Sequence, residues 1–159
     1  MILETIIIAV ISWVVNKILD SLNRDIAGIN SNYYISETSY NIVVKNYNVV
    51  INSYNWDALW KSKEIIVKEY DSQWKSYKKM LDLQKRLHNA KQDLYIKTKS
   101  GDYDKQTRSD AHNVIQELKS RENDVVVIMR SVKERIEETK EKIHNIKAEI
   151  EHIKRRNSK

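Results

Sequence analysis

The sequence predicts an all-α protein, a long helical hairpin or coiled coil with an additional apolar N-terminal helix. Three observations carry this. The 159 residues include 2 Gly and 0 Pro, so few corners are available and the elements must be long. Charged residues make up 31% of the chain, with the two signs interspersed as on a solvated helix surface. Near the C-terminus, apolar residues recur in alternating steps of four and three over about six heptads, the spacing of a coiled-coil seam.

Residues 1–27 are expected to form an apolar N-terminal helix, an anchor or an assembly wedge. The run from Ile6 to Val15 is interrupted only by Ser12, with Glu4 before it and Lys17 after it. A spanning helix needs about 20 mostly apolar residues, so this run could cross a bilayer only with Glu4 and Lys17 at its two interfaces. Glu4, in place of a Lys or Arg, and the lack of a small-residue cleavage site argue against a secretory signal. Ile6, Ile7, Val10, Trp13 and Val14 instead form a broad apolar face, the candidate anchor. Such a face can lie in a membrane interface or pack against protein.

Residues 28–55 are rich in Asn, Ser and Tyr. Strict alternation fails there, while Tyr40, Val43, Tyr47, Val50 and Tyr54 keep steps of three and four. The spacing predicts a helix from about residue 38, with Ser36 to Ser39 supplying cap residues. It leaves a break over Gly28 to Ile35.

Residues 56–159 are expected to be two long antiparallel helices joined by a turn near 99–106. Leu59, Ile66, Val67, Tyr70, Trp74, Tyr77, Met80, Leu87 and Leu94 give the first an apolar face. Gly101 suits a left-handed position after that helix, and Thr107 with Asp110 resembles a capping box for the next. The seam of the second helix contains Ile115, Leu118, Val125, Met129, Val132, Ile136, Ile143, Ile146, Ile150 and Ile153, with Glu122 and Thr139 as polar interruptions. Ile at both seam positions shifts parallel coiled coils towards trimers or larger bundles, so a homo-oligomer is expected.

The formal net charge is +6. Three bases meet four acids over 1–55, eleven meet eight over 56–104, and fourteen meet ten over 105–159, so the excess lies in the later two-thirds. Lys75, Lys78, Lys79, Lys85, Arg86, Arg155 and Arg156 are the candidate phosphate contacts, fitted to track a nucleic-acid backbone without reading bases. No catalytic, cofactor-binding or metal-ligating residue is assigned. His88, His112, His144 and His152 form no metal-ligand spacing, and two isolated glycines cannot build a phosphate loop.

These readings point away from an enzyme and from a small-molecule substrate. They suit a self-associating structural or assembly protein that contacts membrane or neighbouring subunits through residues 1–22. The alternative is a basic coat protein binding nucleic acid non-specifically, as a filament or virion subunit. A further alternative is a helical protein that permeabilises membranes.

Overall fold

The computed structural model describes the backbone of residues 2–51, 55–101 and 103–158, with side chains from residue 16 onward except at 18 and 100. Three helices account for nearly all of it: α1 (Ile2–Val50), α2 (Trp56–Ser100) and α3 (Lys105–Asn157). No strand occurs among the described residues. The protein is all-α, as its composition requires.

The break expected over Gly28 to Ile35 is absent, and α1 runs through it without interruption. A mid-helix glycine costs roughly 1 kcal/mol relative to alanine. Here the lack of a side chain serves packing, because a Cβ on Gly28 would lie 2.9 Å from Leu83 Cδ1 of α2. Small polar residues just beyond this stretch also enter the core. Ser36 and Ser39 are buried, in line with Ile29 and Val43. Tyr54, the last residue of the expected series, lies outside the described residues.

The helix ends follow local chemistry, with two corrections to the expected turn. Asn55 caps α2, its Oδ1 accepting from the N–H groups of Asp57 (3.1 Å) and Ala58 (3.4 Å). Lys97 and Lys99 occupy its last turn, where cations suit the negative end of the helix dipole. The cap of α3 is Asp104, with Thr107 as its partner, three residues ahead of the expected Thr107–Asp110 box. The Thr107 N–H donates to Asp104 Oδ1 at 2.7 Å. Hydrogen bonds from the Thr107 side chain and backbone hold the Asp104 carboxyl below its usual pKa. Gly101 is not left-handed, since no described residue has a positive φ. It stays a glycine because the Tyr103 ring covers its Cα.

Buried positions recur every seven residues in all three helices. The series are Leu22, Ile29, Ser36, Val43 and Val50 in α1, and Leu59, Ile66, Gln73, Met80, Leu87 and Leu94 in α2. In α3 they are Ala111, Leu118, Val125, Val132, Thr139 and Ile146. A strict seven-residue repeat keeps one stripe of each helix facing its neighbours.

The chain divides into two compact units, each drawing a segment from every helix. Met1–Asn30 and Met80–Val127 form the first, Ser31–Lys79 and Ile128–Lys159 the second. In the first unit, Asp25 pairs with Arg86 (3.9 Å) and Gly28 abuts Leu83, so α1 and α2 run in opposite directions there. Arg121 Nη1 donates to Asn23 Oδ1 at 2.9 Å, which ties in α3.

In the second unit, Val43, Val50, Leu59, Ile66, Ile143, Ile146 and Ile150 form one apolar cluster, with Tyr47, Trp56, Val67, Tyr70 and Ile153 packed against it. Three cross-links fix α1 on α3: the Glu37–Arg135 ion pair, the Tyr40–Glu138 hydrogen bond, and Asn145 Nδ2 donating to the Tyr47 hydroxyl at 3.4 Å. Each joins residues 98 apart, so α1 and α3 are parallel in this unit. Asn23 and Arg121, in the first unit, share that separation. Ninety-eight residues are a whole number of heptads, so within each unit these pairs keep the seven-residue repeat of α1 and α3 in phase.

Candidate functional site

The seam residues of α3 lie in the chain's own core. Leu118, Val125, Met129, Val132, Ile136, Ile143, Ile146 and Ile150 are buried, and Ile115 and Ile153 partly so. Side chains of α1 and α2 cover the distal Ile residues, a role the sequence had assigned to a second copy. Burying each such side chain is worth roughly 1.5–3 kcal/mol, and that stabilisation goes to the single chain.

Glu122, the polar interruption in the seam, is bridged by α2. It accepts from Lys91 Nζ at 2.6 Å and meets His88 Nδ1 at 3.0 Å. Burial pushes its carboxyl up, but the bonds and charges of Lys91 and His88 outweigh that and leave it below its usual pKa. Tyr40 moves the other way, to about 12, because its hydroxyl donates to Glu138, burial favours the neutral phenol and the carboxylate repels a phenolate. Arg135 and Lys142 lie over the Tyr40 ring at 4.8 and 5.7 Å.

The candidate phosphate contacts are all exposed, but they fall into separate groups. In the second unit, Lys75 and Lys78 line a shallow groove with Asp71 and Trp74. Trp74 stands edge-on between Tyr70 and Tyr77 at 6.5 and 5.6 Å, and Lys79 is exposed nearby in sequence. Arg155 and Arg156 sit in the last turn of α3, where they also offset its dipole. In the first unit, Lys85 is exposed and Arg86 is engaged by Asp25. A second groove, lined by Arg130, Lys133, Glu134, Glu137, Lys140 and Glu141, mixes both signs along one face of α3. It concentrates neither charge. No group of three metal-ligating side chains converges among the described residues.

The candidate anchor residues Ile6, Ile7, Val10, Trp13 and Val14 belong to α1, and their side chains lie outside those described. Among the described residues no helix is long and apolar enough to cross a membrane. The register of the first unit nevertheless locates this stretch along the helices. Contacts of α1 with α2 there pair residues whose numbers total 111 (Asp25 with Arg86, Gly28 with Leu83), and Asn23 with Arg121 sets the α3 offset at 98. Leu94 and Ala111, the last buried residue of α2 and the first of α3, then fall level with residues 17 and 13 of α1. Because α2 ends at Ser100 and α3 starts at Lys105, neither helix has residues at the heights of 2–6.

At that end of the first unit the surface is mixed. Tyr95 is 50% and Ile96 59% exposed, and Lys97, Lys99, Lys105 and Arg108 are exposed around them. Lys99 Nζ lies 5.8 Å from the Tyr95 ring centroid. Sequence reading gave Lys97 and Lys99 only a place at a helix end and gave Tyr95, Ile96, Lys105 and Arg108 no role, because each is ordinary in isolation. Only the register of three helices makes them neighbours in height of the apolar run. No family model matches this chain, and comparison with curated proteins and solved structures found nothing similar.

Proposed function

We propose that this is a non-enzymatic structural protein, a helical coiled-coil module in which α2 and α3 form an antiparallel hairpin and the start of α1 is the anchoring element. That element attaches the module to a membrane or to neighbouring copies. One observation carries the reading. The first-unit register gives residues 2–6 of α1 no counterpart in α2 or α3, and those residues open the most apolar stretch of the sequence. An apolar helix end left in water would favour association. The described apolar seam of α3, by contrast, is already occupied within the chain.

Removing residues 2–10 tests this. The shortened chain should keep its helicity and melting temperature while losing self-association and vesicle binding, followed by sedimentation and flotation. Retained association would overturn the reading. A second reading, a coat that binds nucleic acid non-specifically, is favoured by Lys75 and Lys78 flanking Trp74 in the second unit. It requires binding that weakens steeply with salt and drops on replacing both lysines by Glu.

A further inference from the structure

We infer that the start of α1 docks on the interface of an anionic lipid bilayer without crossing it, while Lys97, Lys99, Lys105 and Arg108 contact the headgroups. This rests on the anchoring reading and adds the partner.

Length argues for the interface over a span. Leu94 and Ala111 are buried at the heights of residues 17 and 13, so α1 is held among its partners from about there onward. The apolar run there, Ile6 to Val15, is ten residues with Glu4 before it and Lys17 after it, roughly 15 Å of helix at 1.5 Å per residue against a hydrocarbon core of about 30 Å. Such a segment can enter a single leaflet only.

Helical phase supports the same placement. The buried heptad series of α1, traced back by sevens from Leu22, passes through Val15 and Ile8. At roughly 100° per residue, Ile6, Val10 and Trp13 fall within about 60° of one another and roughly opposite that series. Glu4 falls on the side of Val15 and Ile8, away from Ile6, Val10 and Trp13. Tryptophan suits the headgroup level of such an interface.

Charge then selects lipid over a second copy. The four cations lie at the heights of residues 7 to 14 of α1 by the same register. The carboxylates of this segment are Asp102, Asp104, which caps α3, and Asp110, which accepts from Gln106 at 3.0 Å, so the cations outnumber the acids four to three. Pairing two copies through this end would bring two cationic collars together, whereas anionic headgroups neutralise them. Exposed Tyr95 and Ile96 add amphipathic surface that suits an interface.

Flotation of the full chain with vesicles of phosphatidylcholine, alone or with phosphatidylserine, tests the inference. Binding should be much stronger with phosphatidylserine. Lys97→Glu with Lys99→Glu should weaken it by roughly fivefold or more per site, at unchanged helicity. Ile6→Asp with Val10→Asp should abolish it on both vesicles and leave the melting temperature unchanged. Entrapped dye should stay inside. Equal binding to both vesicle types overturns the cationic collar, and dye release overturns the non-spanning placement. Absence of flotation, with self-assembly that Ile6→Asp and Val10→Asp destroy, overturns the lipid partner and leaves the anchoring reading standing. Absence of both flotation and assembly overturns the two together.

Discussion

Gln73 shows how a single residue can work against the core that contains it. It occupies the buried heptad series of α2 with 0% exposure, and neither amide atom has a hydrogen-bond partner. A buried, unpaired amide costs on the order of 1–3 kcal/mol. Gln73→Leu should therefore raise stability by about that amount in urea unfolding. An unchanged or lowered midpoint would mean that a buried water satisfies the amide. Glu122 presents the opposite case, a partly buried acid bridged by Lys91 and His88. Because its folded pKa is depressed below the ordinary value of 4.5, its stabilisation is complete above that pH. It is lost as pH falls from 4.5 through the folded value. Glu122→Gln should flatten the acid limb of the stability profile, and a profile superimposable on that of the unsubstituted chain would dismiss the bridge as a stabilising contact.

At the scale of elements, the α1–α3 register is the feature that sequence reading did not supply. The α3 seam was legible because its apolar residues keep one spacing over many turns, and their burial follows that spacing. Within α1 the same spacing exists, but its middle members are Ser36 and Ser39 in an Asn- and Ser-rich context. Local propensity there favours a break, and tertiary packing overrides it. The Glu37–Arg135 and Tyr40–Glu138 contacts were illegible for another reason: residues 98 apart are linked only by the fold. The ion pair offers a direct test of the register. Glu37→Arg and Arg135→Glu should each destabilise by about 1–2 kcal/mol, since both groups are partly buried, and the double exchange should recover most of that. Strictly additive losses would contradict the pairing. Gly28 gives a second test. Gly28→Leu should destabilise by about 1–3 kcal/mol through overpacking against Leu83, whereas a glycine that merely broke a helix would tolerate the change.

For the molecule as a whole, the consequence of burying the α3 seam internally is that folding and association separate. Ile143 and Ile150 look by spacing like the contact surface of an oligomer, and Ile at such positions favours higher assemblies. In the second unit they pack instead with Val43, Val50, Leu59 and Ile66 of the same chain. Ile143→Asn with Ile150→Asn should thus damage the fold itself. Each change removes roughly 1.5–3 kcal/mol of burial and places an amide in an apolar cluster, a loss comparable with the total stability of a small domain. The melting temperature should fall steeply and by the same amount at every protein concentration, because a transition within one chain carries no mass-action term. Measured in a background lacking residues 2–10, where the proposed anchor is gone, the unsubstituted chain should sediment as a monomer and melt independently of concentration. A melting temperature that rises with concentration in that background would return the α3 seam to an interface between chains.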